Sequence, residues 1–285
     1  MKRRKLTKMT DNRIAKLNQL ALNAGAAILD IYARPFEVTD KVDGSPVTEA
    51  DTIAEKIILR GLAELFPKIP VIAEESVEAA GVPAVGDTYF LVDPLDGTQE
   101  FLKKNGEFTV NIALIENCIP VFGVVVAPAL DEIFWGGKLD GSMGGAFSGT
   151  IEKGVVVNKK PIEVRKPPFK GLSVLASRSH LSDETADLID KLNVAEQVSV
   201  GSSLKLCWVA AGRADMYPRL APTMQWDIAA GDAVVRSAGG SVVYASDGTD
   251  IVYQVPEYAT KDDLRNPHFI AVSNKGLLPE LVATV

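Results

Sequence analysis

Two aspartates stand three residues apart in Asp93-Pro94-Leu95-Asp96-Gly97-Thr98, directly after the apolar run Tyr89, Phe90, Leu91 and Val92. Such a run reads as a buried strand, and the residues after it read as a turn. Pro94 fixes its own φ, while Gly97 has the backbone freedom that a tight reversal needs. Two carboxylates at a strand end repel each other if buried bare, and a bound divalent cation is the usual way to keep both ionised. The alternative is a surface turn in which Asp93 and Asp96 accept hydrogen bonds from nearby amides. Further acids fall at element edges: Glu74 after Val71-Ile72-Ala73, and Asp227 in Trp226-Asp227-Ile228-Ala229-Ala230-Gly231. Read singly, Asp227 suits a helix N-cap as well as a cation. Asp51, in the first turn of a helix, is explained equally by the helix dipole.

Composition narrows the chemistry. With two histidines and two cysteines, Cys118 and Cys207 among apolar neighbours, a zinc site is nearly excluded and no disulfide is expected. The net charge of −7 argues against nucleic acid as the main partner. No apolar run approaches membrane-spanning length, and the basic start (Lys2, Arg3, Arg4, Lys5, Lys8) leads into Thr10-Asp11-Asn12-Arg13, not into a secretory h-region. A frayed, solvated terminus is expected there, with contact to an anionic membrane surface as the alternative. The expected compartment is the cytoplasm, or the cytoplasmic side of the inner membrane by peripheral contact. No G-x-x-x-x-G-K-[ST] or G-x-G-x-x-G occurs, which removes the common nucleotide-loop classes.

At 47% hydrophobic residues, the 285-residue chain can bury a substantial core. Apolar spacing of three and four predicts helices over 12–32 and 49–66, the second capped by Thr48, with a loop over 41–46. Strands are expected over 70–73 and 89–92, a loop over 79–87, and a short helix over 99–104 ended by Gly106. Phe108, Val110, Ile112 and Leu114 alternate with Thr109, Asn111 and Ala113, so 108–114 should pair with 119–127 as a hairpin. Short strands at 131–136 and 143–148 complete an α+β half, residues 1–157. The three prolines of 159–170 suggest a linker into an α/β half, residues 158–285. In that half, strands at 172–176, 198–200, 214–217 and 241–244 alternate with helices at 182–192, 202–211 and 227–238.

Four motifs in order resemble the inositol monophosphatase superfamily of magnesium-dependent, lithium-sensitive phosphatases, and most of all its 3′(2′),5′-bisphosphate nucleotidase (CysQ-type) branch. They are residues 43–51, Ala73-Glu74-Glu75-Ser76, Asp93-Pro94-Leu95-Asp96-Gly97-Thr98 and Trp226-Asp227-Ile228-Ala229-Ala230-Gly231. Residues 100–111, Ser177-Arg178-Ser179-His180, 201–205 and 217–223 favour the nucleotidase branch. The resemblance covers residues 12–280 and implies a layered α-β-α-β-α sandwich with the site at the junction of the halves. It implies one Mg²⁺ on Glu74, Asp93 and the Leu95 carbonyl, and a second on Asp93, Asp96 and Asp227. Two or three ions are expected, with Mn²⁺ as a substitute and Li⁺ as an inhibitor. Thr98 and Asp51 match the dyad that orients and deprotonates the water attacking phosphorus in line, Glu74 contributing to the same catalysis.

Substrate contacts are expected from Glu74, Leu95, Asp96, Gly97, Thr98 and Asp227. The amides of Gly97 and Thr98 would hold a phosphate oxygen. Ser202, Lys205 and Arg219 would meet the other phosphate or the base of a nucleotide, and Gly201-Ser202-Ser203 opening a helix is a plausible anion site. For Lys205 and Arg219 the alternative is solvated surface charge. His180 is read as a structural residue, and Glu75 as a neighbouring or surface acid. The implied reaction is removal of the 3′-phosphate of adenosine 3′,5′-bisphosphate, by a monomer or homodimer. The alternatives are an inositol or sugar phosphatase and a non-catalytic metal- or nucleotide-binding sensor.

Overall fold

The computed structural model describes residues 2–40, 46–139, 144–179 and 181–278, with the backbone alone for 2–12 and Asp40. The expected loop at 41–46, apart from Pro46, and His180 lie outside the described residues. In chain order the elements are α1 (Lys2–Tyr32), β1 (Val38–Asp40), β2 (Pro46–Thr48), α2 (Glu49–Leu65), β3 (Val71–Ala73), α3 (Glu74–Ala80) and β4 (Thr88–Asp96). Next come α4 (Thr98–Leu102), β5 (Thr109–Glu116), β6 (Ile119–Ala127), β7 (Glu132–Gly137), β8 (Ala146–Glu152) and β9 (Val155–Ile162). The rest are β10 (Leu172–Ser177), α5 (Asp183–Asp190), β11 (Val194–Val200), α6 (Leu204–Ala210), β12 (Met216–Arg219), α7 (Gln225–Ser237), β13 (Ser241–Tyr244) and β14 (Phe269–Val272).

A seven-stranded sheet runs β3 to β9 in sequence order, and a five-stranded sheet has the order β11-β10-β12-β14-β13. Only β3–β4 is parallel in the first; in the second β10 pairs parallel with β11 and β12, and β14 antiparallel with β12 and β13. Period-2 alternation sorts the strand side chains between two cores. Phe90, Val92, Val110 and Ile112 pack with α1 and α2, whereas Tyr89, Leu91, Ala113 and Ile115 pack with α6 and α7. The core around α6 and α7 also takes Ala271 and Phe269 of the second sheet, whose far face covers Leu188 and Ile189 of α5. The layers are therefore α-β-α-β-α, as expected.

Helix α7 is squeezed between the sheets, which is why its inner turns are small. A Cβ on Gly123 of β6 would fall 2.3 Å from the Ala230 carbonyl oxygen, and one on Gly231 2.6 Å from Leu206 of α6. The β5–β6 hairpin closes on Asn117 and Cys118, both at positive φ (50° and 62°), the geometry of a two-residue turn matched to strand twist.

Several expectations are corrected. The basic start continues α1 back to Lys2, because no glycine or proline interrupts residues 2–24 and strong helix formers dominate. Residues 159–162 belong to β9, so the expected boundary at 157 falls inside a strand. Pro161 is tolerated there because β9 is an edge, where a missing N–H leaves no ladder bond unmade. Glu74 opens α3, which takes in the start of the expected 79–87 loop. Strand β11 begins at Val194, four positions ahead of expectation, and β1, β2, β9 and β14 have no counterpart among the expected strands.

Gly123→Ala should force α7 away from the sheet and cost about 1–3 kcal/mol, the usual penalty for overpacking. A thermal melt by circular dichroism reads this directly.

Candidate active site

The β4 turn is built by its own acids. The Asp93 Oδ1 accepts from the Leu95 amide at 2.9 Å, bending the chain out of the strand. Gly97 then takes φ 91°, and α4 starts at Thr98. A Cβ at Gly97 would lie 3.2 Å from both the Glu107 carbonyl oxygen and the Ser202 Cβ, so glycine is required by space as well as by φ. Across the turn, Ser203 donates its amide (2.6 Å) and hydroxyl (2.8 Å) to Asp96 Oδ2 and also bonds the Asp227 carbonyl. Asn111 donates to Ser203 Oγ at 2.9 Å. Asp227 is the third residue of α7, and its Oδ2 accepts from the Met224 amide at 2.7 Å, so it does close its own helix as a cap. Oδ1 of Asp96 and of Asp227 accept no hydrogen bond among the described residues.

Glu74 reaches the site at the junction of β3 and α3. The buried Glu55 of α2 fixes that junction, accepting from the Glu75 amide (2.8 Å) and the Ser76 hydroxyl (2.6 Å). Asp51 is buried at N3 of α2 in a capping box. Its Oδ2 accepts from the Thr48 amide and hydroxyl, both at 2.8 Å, and its Oδ1 faces the Thr98 hydroxyl at 3.5 Å. That contact is longer than a formed O–H···O bond, as catalytic contacts often are before substrate tightens them.

These parts line one cavity of about 520 Å³, within the usual range for a small-molecule site. Glu74, Asp93, Leu95, Asp96, Gly97 and Thr98 are on its wall with Asp227, as are Ser202, Lys205 and Arg219. Asp51 alone of the expected residues stands behind that wall, touching it through Thr98. Lys205 and Arg219 are 4% and 8% exposed, which overturns the surface-charge alternative for both. Lys205 Nζ donates to the Val200 and Ser202 carbonyls (3.2 and 2.6 Å) and lies over the Tyr217 ring. Glu75 is a partly buried neighbour whose backbone amide bonds Glu55.

One expectation fails here. The amides of Gly201 and Ser203 do not wait for a substrate anion, because the carboxylates of Glu107 (2.8 Å) and Asp96 (2.6 Å) already hold them. Thr109, Asn111, Glu107 and Glu55 are site residues to which the sequence alone gives no individual role, and Ser203 bonds Asp96 in place of the anion expected there. The signal for Thr109 and Asn111 is that a strand buried on both faces has no solvent side, so its polar residues must bond internally.

Electrostatics sets what the cavity can hold. Burial pushes the Asp96 carboxyl up, opposed by the Lys205 charge and the Ser203 hydroxyl. Burial, then the charges of Asp96 and Glu74, push Asp227 well above the ordinary range. Burial lowers Lys205 to about 8, against the pull of Asp96. Like charges in one dry pocket destabilise one another, and an added cation reverses the sign of that term. Among the described residues no three such side chains already close into a ligand cage. The open Oδ1 atoms and the oxygen-only donors nonetheless fit a hard divalent ion that keeps water and substrate in its shell.

Residues 9–285 match the inositol monophosphatase family. The chain belongs to that family. It is 45% identical over 255 residues to the 3′(2′),5′-bisphosphate nucleotidase CysQ of Salmonella typhimurium, covering 88% of this chain and 96% of that one. The Escherichia coli K12 protein of the same name is 42% identical over the same shares. Among solved structures, CysQ from Bacteroides thetaiotaomicron superposes with a TM-score of 0.70 at 36% identity, covering 93% and 98% of the two chains. Inositol monophosphatase family members are metal-dependent phosphatases. No helix among the described residues is long and apolar enough to cross a membrane.

Lys205 titrates with a definite sign. Below about pH 8 it is charged in folded and unfolded chains, and the burial penalty is full. Between about 8 and its ordinary 10.5, the folded chain has lost a proton that the unfolded chain keeps, so stability rises with pH. Urea unfolding in EDTA across this window should show the rise in the natural protein and a flattened profile in Lys205→Met.

Proposed function

We propose that this protein is a Mg²⁺-dependent phosphatase that hydrolyses the 3′-phosphate of adenosine 3′,5′-bisphosphate to AMP and phosphate. The sulfated form of that nucleotide would be a second substrate. The observation that carries this reading is one cavity lined by both signs of charge: the acids Glu74, Asp93, Asp96 and Asp227 and the buried cations Lys205 and Arg219. A phosphate that lies over the acids needs a cation between, and a second anionic group complements Lys205 and Arg219. A substrate with one phosphate would satisfy only half of this arrangement. The names of the relatives point to the same substrate.

In this reading Glu74, Asp93, the Leu95 carbonyl, Asp96 and Asp227 hold Mg²⁺, which when bound supplies Lewis-acid stabilisation of the phosphoryl group and lowers the pKa of water. The chain does the rest. Thr98 orients the attacking water, and Asp51 Oδ1 receives the hydroxyl proton that Thr98 gives up as it takes the water's. The Gly97 and Thr98 amides, at the start of α4, face the transferred phosphate. Ser202 bonds the nucleotide, while Lys205 and Arg219 neutralise its remaining phosphate. The first half thus supplies most of the metal ligands, and the second half supplies Asp227 and the groups that recognise the nucleotide.

With Mg²⁺ present, phosphate release from adenosine 3′,5′-bisphosphate should exceed that from inositol 1-phosphate in kcat/KM; the reverse order makes the protein an inositol phosphatase. EDTA should abolish turnover. Asp96→Asn should lower kcat by more than about 100-fold and Thr98→Ala by about 10²–10⁴-fold, with the circular dichroism spectrum unchanged. Full turnover by Asp96→Asn would refute the ligand set, and the absence of any phosphate release by the natural protein would leave the sensor alternative.

A further inference from the structure

The turn between β11 and α6 carries two local penalties at one residue. Ser202 has φ 46°, which is uncommon for a side chain of its kind, and its buried hydroxyl oxygen has no hydrogen-bond partner. A strained residue with an unmet polar atom persists only where the surroundings fix it, and such residues gather at functional sites. Ser202 faces the cavity and abuts Gly97. What fixes it lies one residue back and outside the cavity. Glu107, in the α4–β5 connection, accepts from the Gly201 amide at 2.8 Å through Oε2. The same carboxylate takes a two-pronged bond from Arg178, Nε to Oε2 at 2.7 Å and Nη2 to Oε1 at 2.8 Å. Arg178 Nη2 also donates to the Ser199 carbonyl at 2.6 Å, so one ion pair holds the β11 side of the turn at two points. Space enforces the arrangement too, since a Cβ on Gly201 would meet Glu100 at 2.6 Å and the Glu107 carbonyl oxygen at 2.8 Å.

Resting on the function proposed above, we infer that Arg178 and Glu107 are a positioning pair that latches the five-stranded sheet to the α4–β5 connection and holds the Ser202 hydroxyl ready for substrate. Neither residue lines the cavity, so they act through Ser202. Guanidinium and carboxylate planes match edge to edge, and lysine cannot reproduce two parallel bonds, so Arg178→Lys keeps the charge while loosening the latch.

The test is a double-mutant cycle on hydrolysis of adenosine 3′,5′-bisphosphate. Ser202→Ala should lower kcat/KM about tenfold, the loss of one good hydrogen bond. Arg178→Lys should lower it about fivefold in the natural protein, mostly through KM, but by less than about twofold in the Ser202→Ala background, because contacts in one network are not additive. An equal loss in both backgrounds, or no loss in either single variant, overturns the inference. A second measurement does not depend on the substrate: amide hydrogen exchange in Glu107→Ala. Faster exchange confined to residues 199–203 supports the latch, and unchanged exchange there refutes it. If the natural protein releases no phosphate from the bisphosphate, the proposed function falls, and the exchange result alone decides the latch.

Discussion

Ser203 ties three separate parts of the chain to one point. Its amide and hydroxyl hold Asp96 of β4, the hydroxyl also bonds the Asp227 carbonyl of α7, and Asn111 of β5 donates to the same oxygen. A single side chain thus fixes the distance between the turn that ends a strand of one sheet and the first turn of the helix between the sheets. The other groups of the site are placed relative to that joint. Lys205 comes two residues after Ser203 on α6, Ser202 precedes it, and Gly97 leaves the space that lets the two turns touch. A hydrogen bond to a carboxylate contributes about 1.5–3 kcal/mol, enough to set the geometry of a local region but not the stability of the fold.

The fold supplies what this joint cannot. Acids are expensive to bury, and here several share a cavity in which burial and mutual repulsion raise Asp96 and Asp227. They are kept together because strands buried on both faces and a helix pressed between sheets leave the backbone no room to relax. The energy stored in that repulsion favours any hard cation that enters and, through it, an anionic substrate. Lys205 lines the same cavity with its own burial penalty, and its charge offsets part of the cost of burying Asp96.

How much of this is legible in the sequence depends on the kind of signal each part leaves. Asp93, Asp96 and Glu74 sit where an apolar pattern stops and Asp227 where one starts, and an acid at such an edge is visible in one dimension. The two long helices and the β5–β6 hairpin likewise carry their periods on the surface of the text. Glu107, Ser203, Asn111 and Glu55 carry no such mark, because their importance comes from partners 20 to 107 residues away along the chain. Gly201-Ser202-Ser203 has the local shape of an anion site, but the tertiary structure has already spent those amides on the protein's own carboxylates. Pro161 misleads for the same reason: a proline means interruption unless the strand is an edge, and edges are set by topology. Short strands such as β1, β2 and β14 are too brief for alternation to rise above composition.

The thin packing of α7 has one more consequence. Because a single apolar core continues from the first sheet through Ala229, Ala230 and Val234 into Ala271 of the second, the two sheets have no seam along which to swing apart. The gap between them is as wide as α7, with small residues at its close contacts, allows before any guest arrives. A recess of preset width screens visitors by fit at the doorway, and it does so without the entropy cost of a jaw that must shut.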